Sequence, residues 1–369
     1  MDFRSRILAV LRHEEPDQVP FAPYDNLMPR GDFSRQLRNR GMGLCVRRST
    51  IWSEMPNVTL ELRCEGGETV TTYHTPVGSV STRTRGHTGR ISDGMSVEVK
   101  GMIERVEDFG PVIFMLDDTV FHRDDSVYWD AVRDVGVDGI VRDTALDMES
   151  TPYGATRRYF GDYFGLERWV FEQHDHPNEF VALLEAQIRR DERRLELAGD
   201  SPADLLAFGW LEGLWSPALF REYELPFYRK WVSHLQARGR QCVLHCDATK
   251  NLPEFAGLIA ETGVAVVEAF TPPPVGTLSL SDARVAWGDD VVIWVNVPET
   301  VFWMGADQTK AYIIDLLKSD SPGRSLVIGF TEMGLWGATD DETERTFKAG
   351  IHAMMEAIEE CGHFPVASH

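Results

Sequence analysis

The apolar positions of this chain fall into short solid runs separated by longer stretches of spaced apolar residues. Phe3, Ile7, Leu8 and Leu11 recur at helical spacing, so residues 3–12 predict an amphipathic helix that Pro16 stops. Val19-Pro20-Phe21-Ala22 then predicts a first buried strand. Residues 57–99 change to alternation. Thr59-Leu60-Glu61-Leu62-Arg63, Thr69-Val70-Thr71-Thr72-Tyr73 and Ser79-Val80-Ser81-Thr82 are separated by turns at Glu65-Gly66-Gly67 and Thr75-Pro76-Val77-Gly78. The pattern predicts an antiparallel β-meander with one solvated face, inserted into another architecture.

From about residue 110 onward, solid runs alternate with helical stretches. A less clear strand is expected near 112–116. Asp175 is placed to cap a long helix that has Pro177 in its first turn and runs to Gly199. Strands are expected at 205–209, 241–245, 264–270, 291–296 and 325–330. Between them come a helix holding Phe220, Leu225 and Trp231, which Pro226 should kink or divide, and helices over 252–262 and 308–318. A last helix runs from about Asp340 to Cys361, with Gly362 closing it. Apolar strands separated by helices imply a parallel sheet buried on both faces. About eight strands are countable, which predicts a (β/α)8 TIM barrel spanning 1–369 as one domain, with the 57–99 insertion inside it. A doubly wound open sheet is the alternative, weakened by the lack of a glycine-rich first βα turn.

Composition narrows the partners. The formal net charge is -21, from 58 acidic against 37 basic side chains, a surface that repels phosphate backbones and anionic lipid. Nucleic-acid and membrane roles are therefore not expected, and with no signal-like N-terminus or long apolar run the expected location is the cytoplasm. Five scattered cysteines without a CxxC pair predict reduced thiols.

In a parallel barrel the chemistry collects where strands empty into loops. In order, the exits read Gly209-Trp210-Leu211-Glu212, His245-Cys246-Asp247, Glu268, Asn296 and Thr331-Glu332. Imidazole nitrogen and carboxylate oxygen both suit zinc, so His245, Asp247, Glu268 and Glu332 are expected to converge on a divalent metal, for which three protein ligands suffice. Glu268 is a fourth ligand or an acid, and Glu212 a further catalytic carboxylate. Trp210, Asn296 and Trp336 are expected to line the substrate pocket, with Trp215, Trp294 and Trp303 on or near the mouth. Each residue has an ordinary alternative. His245 reads equally as a hydrogen-bonded core histidine, Asp247 as a turn residue, Glu268 as half of an ion pair and Glu332 as a helix-entry carboxylate. His174 and His176 flank Asp175 at a spacing that could hold metal, although a helix start explains Asp175 and Pro177 equally well.

Several segments in order resemble the uroporphyrinogen decarboxylase-like superfamily. Ser5-Arg6-Ile7-Leu8-Ala9-Val10-Leu11-Arg12-His13-Glu14-Glu15-Pro16-Asp17-Gln18-Val19-Pro20 resembles its first helix and "E-P-D-R-V-P" strand entry. Asp175-His176-Pro177 resembles its "D-x-P-E" helix start, and Ser216-Pro217-Ala218-Leu219-Phe220 with Pro226-Phe227-Tyr228 its "S-P-x-x-F…P-x-Y" helix. Val243-Leu244-His245-Cys246-Asp247 falls where relatives carry "H-S-C-G" or "H-x-D-G". The resemblance implies a barrel with its site at the strand C-termini, and either porphyrinogen decarboxylation or zinc-dependent methyl transfer involving corrinoids. The decarboxylases' "R-Q-A-G-R" is absent from Tyr24-Asp25-Asn26-Leu27-Met28-Pro29-Arg30-Gly31. The methyltransferases' His-x-Cys pair is here His245 and Asp247, and their distant Cys falls near Thr331-Glu332. The expectation is a zinc-dependent methyltransferase, or demethylase, passing a methyl group from a small methoxylated or methylated substrate to a corrinoid on a partner protein. Two alternatives stay open: a metal-free decarboxylase or lyase using Glu212, His245 and Glu268, and a non-catalytic small-ligand binding protein.

Overall fold

In the computed structural model of the chain the described residues are 1–28, 30–86, 96–146, 163–165, 168–211, 216–246, 252–331 and 340–368, with side chains described from 99 onward in the strand that starts at 96. Along the chain the first strands are β1 (Leu44–Arg48), β2 (Ile51–Glu54), β3 (Thr59–Glu65), β4 (Glu68–Thr75), β5 (Gly78–Gly86), β6 (Ser96–Lys100) and β7 (Val120–Arg123). After them come β8 (Gly139–Asp143), β9 (Leu205–Trp210), β10 (Gln241–His245), β11 (Val266–Phe270), β12 (Val292–Val297) and β13 (Leu326–Phe330).

A seven-stranded parallel sheet, in the order β1-β8-β9-β10-β11-β12-β13, forms the frame of the molecule. Each strand from β8 to β13 is flanked by helices, including Pro177–Gly199, Leu225–Ala237, Leu252–Thr262, Leu280–Trp287, Ala306–Ser319 and Asp341–Cys361. Strands β11, β12 and β13 are buried along their whole length, as covering on both faces requires.

The laddered sheet is open and has seven strands, so the expected eight-stranded closed barrel is not what the ladders define. Two of the expected strands differ. The apolar run at 112–116 lies inside the helix Phe109–Asp118. Pro111 sits in its first turn, and Val112, Met115 and Leu116 are buried at helical spacing with Ile113 and Phe114 half-covered, so the period is helical although the run looks solid. The run at 19–22 makes no ladder, since Pro20 and Pro23 lack the N–H groups that a ladder needs. Its segment instead touches both edges of the sheet: Phe21 bridges Ile328 of β13 and Tyr24 bridges Cys45 of β1, both parallel.

The places of the missing strands are taken by β1 and β8. Strand β8 is buried throughout although it ends in Arg142-Asp143. Its Asp143 accepts from Thr50 N at 3.1 Å, Ala145 N at 2.8 Å and Ser201 Oγ at 2.6 Å, which satisfies a carboxylate with no exposed surface.

The insertion agrees with the alternating pattern and is wider. Strands β3, β4, β5 and β6 form an antiparallel sheet, and a separate antiparallel pair joins β2 to β7. This sheet and the helix Phe109–Asp118 share a second hydrophobic cluster with the start of the helix Pro177–Gly199, distinct from the cluster beneath the parallel sheet. Pro226 acts as expected: a π-turn over Phe220–Glu224 absorbs the break before the helix Leu225–Ala237 begins. His176, not Asp175, stands at the N-cap of the long helix.

Candidate functional site

His245 is the last residue of β10, between β9 and β11. Both neighbours carry a register shift at the same level. Ala207 and Trp210 of β9 pair with Val243 and His245, so β9 has one residue more than β10 over that interval, and Gly209 takes the left-handed turn at φ 83°. Val267 and Phe270 of β11 pair with Ile293 and Val295 of β12, again one residue too many, and Ala269 sits at φ 55°. A non-glycine residue with positive φ is strained, and such bulges re-aim the side chains beside them. The result is a row across three strands, with Trp210 and Glu268 both in register with His245.

The side chains in that row touch. His245 Nδ1 lies 3.2 Å from Glu268 Oε2, and the Trp210 ring stands edge-on to the imidazole at 4.8 Å between centroids. Arg142 Nη1, from β8, donates to the same Oε2. The Arg142 and Glu268 side chains are 1% and 0% exposed. Burial opposes ionisation of Glu268, but the Arg142 charge and the His245 hydrogen bond outweigh it and hold the carboxyl far below the ordinary range.

Tyr24 completes the group. Its ring lies under two guanidinium groups, Arg47 at 4.2 Å and Arg142 at 5.9 Å from the centroid. Arg47 and Arg142 are register partners on β1 and β8, which brings both to the same face. The Tyr24 hydroxyl is buried and makes no hydrogen bond of normal geometry among the described residues. Burial first, and then the neighbouring Glu268 anion, push its phenol well above its usual value, so it keeps its proton. Cys45 lies in the same field, its thiol pushed up to about 12 by burial.

The arrangement has a chemical consequence. An ionised carboxylate on Nδ1 fixes the imidazole as the Nδ1–H tautomer and leaves Nε2 as the lone-pair nitrogen, the usual outer support of a metal-ligating or proton-accepting histidine. Glu268 suits that supporting role. An acid role runs against the Arg142 charge and the His245 hydrogen bond, which hold its carboxyl far below the ordinary range. Its Oε2 serves Arg142 and His245, while its Oε1 makes no hydrogen bond of normal geometry among the described residues.

Among the expected site residues, His245, Glu268 and Trp210 are brought together. Asn296 lies further along the sheet on β12, buried, where a Cβ on Gly329 of β13 would meet its Oδ1 at 3.1 Å. Glu212, Asp247, Glu332, Trp215 and Trp336 lie outside the described residues. Cys246 is fully buried within the core beneath the parallel sheet. Trp294 is not at the mouth: it is 0% exposed and donates its indole N–H to Ala22 O at 3.2 Å. Trp303 is a surface ring packed edge-on to Phe347. His174 contacts Asp175 at 3.1 Å on the exposed surface, and His176 faces Glu172 at 3.8 Å, so the two do not form a shared site.

No group of three or more His, Cys, Asp or Glu side chains is placed to hold a metal ion among the described residues. His245 fits the part of a carboxylate-supported ligand, and its two expected companions are outside that set. Arg142 and Tyr24 escaped the sequence reading. The one signal for Arg142 was the short run Ile140-Val141-Arg142-Asp143 after Gly139.

No family model matches the chain, and no curated protein sequence does. A solved structure does. The chain is similar to a methyltransferase from Methanosarcina mazei, with a TM-score of 0.53 over 98% of this chain and 99% of that one, at 15% identity. The likeness is one of fold.

Proposed function

We propose that the chain is a methyltransferase whose reaction is organised by His245 at the mouth of the parallel sheet. The observation that carries this reading is the Arg142–Glu268–His245 chain: a buried carboxylate that accepts from an arginine and contacts one imidazole beside an aromatic wall. A core histidine needs no such support, because burying an arginine and a carboxylate is costly even when they pair. The fold likeness to a protein named a methyltransferase supports the same class.

In this reading the segment 19–24 is the eighth stave of a closed (β/α)8 barrel of one domain, which its bridges to β13 and β1 support. His245, Asp247 and Glu332 would hold zinc, with Glu212 a further carboxylate at the same mouth. Zinc bound there would supply Lewis acidity toward the substrate's ether or alkoxide oxygen. The chain's own groups do the rest. Arg142 keeps Glu268 anionic, and Glu268 holds Nδ1–H so that Nε2 faces the mouth. Trp210 walls the pocket and excludes water, with Asn296 and Trp336 as further pocket residues. The methyl carbon passes to the acceptor's lone pair while the electrons of its old bond stay on the substrate oxygen. The acceptor is a corrinoid on a partner protein, and the location is the cytoplasm. No described helix is long and apolar enough to cross a membrane.

Metal analysis of the purified chain alongside His245→Ala tests the reading, together with methyl transfer from methoxylated substrates. Zinc retained by the wild type, and both zinc and activity lost in the variant, are expected. Protein that never retains zinc and loses no activity on the change would refute it, and chelator-insensitive release of CO2 from an acid substrate would favour a metal-free decarboxylase.

A further inference from the structure

The antiparallel sheet ends on an open edge. Among the described residues β3 ladders with β4 alone, and none of its residues is buried. Register carries Leu60 across to Tyr73 and Val80, and Leu62 across to Thr71 and Thr82. These share the sheet face that packs on the helix Phe109–Asp118, where Val80 and Thr82 are 4% and 6% exposed. The cover runs out before the edge, because Leu60 and Leu62 on that face are 52% and 69% exposed. Glu61, Arg63 and Glu65 alternate onto the opposite face.

An open strand edge presents backbone N–H and C=O groups that a further strand can take up. Edges that stay single are blunted by proline, lysine, a bulge or charge. Strand β3 has no proline, no lysine and no bulge in its ladder with β4. Its charges are the remaining barrier, and their order decides what can pair with it. About a two-fold axis through Leu62, perpendicular to the sheet, the whole strand pairs antiparallel with itself. Glu61 then faces Arg63 of the second copy, Arg63 faces Glu61, Leu60 faces Cys64, and Leu62 faces its own copy. Within one chain Glu61 and Arg63 already meet at 2.7 Å, so the axis closes two such pairs into a ring of alternating charge. Moving the axis by one residue fails. Centring on Glu61 sets that carboxylate against its own copy, and centring on Arg63 sets Arg63 against itself and Glu61 against Glu65. The net charge of -21 opposes self-association in general, which makes this local complementarity the condition for pairing.

From the open edge, the uncovered leucines and the self-complementary charge order, we propose that β3 pairs with β3 of a second copy of this chain, antiparallel about Leu62, and joins the two antiparallel sheets into one. The same axis keeps the helix-covered faces of both copies on one side, so Leu60 and Leu62 of each merge into one apolar strip. Burial of that strip and the shared backbone bonds supply affinity, while the charges set the register. A single strand pair buries less than a permanent interface, so the dimer depends on concentration. It uses no residue of the His245 site.

Sedimentation velocity of the intact chain over about a hundredfold range of concentration tests it, with circular dichroism to show that each variant folds. The wild type should pass from monomer to dimer. Leu62→Asp sets two carboxylates together on the axis and should weaken the dimer by about tenfold or more. Glu61→Arg and Arg63→Glu should each do the same, because each puts like charges opposite. The two charge changes combined should restore the dimer to within about threefold of the wild type. Leu60→Cys reads the register: under oxidising conditions it should link to Cys64 of the second copy, and adding Cys64→Ser should abolish the link. Positions four apart on one strand are about 13 Å from each other, too far for a disulfide within one copy. A wild type that stays monomeric at every concentration would overturn the proposal. So would a dimer that Leu62→Asp and both charge changes leave unmoved, since it would lie elsewhere. A double variant as weak as the singles, or no link from Leu60→Cys, would overturn the pairing about Leu62.

Discussion

Replacing Arg142 with methionine tests the relay behind His245 without touching its mouth. The change keeps the length and apolar stem of the side chain and removes the charge. Because Arg142 and Glu268 are 1% and 0% exposed, Glu268 would be left as a buried anion against the His245 ring. Breaking a buried pair from one side costs about 3–5 kcal/mol. With an unfolding entropy of about 2.1 cal/mol/K per residue, a chain of 369 residues loses about 0.8 kcal/mol per degree near its midpoint, so the Tm should fall by about 4–6 °C. The loss should also depend on pH. In the wild type the Glu268 pKa is depressed, so its stabilisation is fully present above the ordinary carboxylate range and is lost only as pH falls through the lower, folded-state value. Without Arg142, burial dominates and Glu268 takes up a proton more readily, so the deficit should be largest near pH 7–8 and shrink toward pH 5. Adding Glu268→Gln removes the stranded charge while keeping an acceptor for His245 Nδ1–H. The double variant should therefore recover more than half of the lost Tm in differential scanning calorimetry. A single variant within about 1 °C of wild type, or a double variant as unstable as the sum of the singles, would refute the argument.

Three further outcomes follow from the packing elsewhere in the molecule. Gly209→Ala places a Cβ 2.0 Å from Tyr228 Oη at φ 83°, and should lower stability in urea by at least about 2 kcal/mol, with Tyr228→Phe returning the part due to the clash. Burial pushes the Cys45 and Cys242 thiols up to about 12, whereas Cys64 is exposed, so native labelling with a disulfide reagent should be fast at Cys64 and should reach Cys45 and Cys242 only on unfolding. Burial works against Asp17, but Arg6 and the terminal amine hold it at about 2, so Asp17→Asn should cost a small, constant stability above pH 5 that disappears as pH falls to about 2. Small is expected there because the Asp17 side chain is 38% exposed and solvent screens the pair.

The sequence by itself determined most of the elements from residue 177 onward. The strands β9 to β13 are five or six residues long and each holds at least three apolar residues, so local pattern and final structure agree there. The alternation of β3 to β5 was equally legible. What local pattern could not decide was which runs enter the parallel sheet. Residues 112–116 are as apolar as any strand, but Pro111 and a second hydrophobic cluster make them a helix. Strand β8 was invisible because two of its five residues are charged, and their charges become tolerable only when Glu268, Thr50 and Ser201 arrive from distant segments to meet them. The site divides the same way. His245 and Glu268 could be suspected from strand ends, since a side chain leaving a buried strand is a local fact. That Glu268 meets a buried guanidinium as well as the imidazole depends on Arg142 lying 126 residues away in sequence. Only the register of the parallel sheet, with its two bulges, puts a guanidinium, a carboxylate and an imidazole within reach of one another.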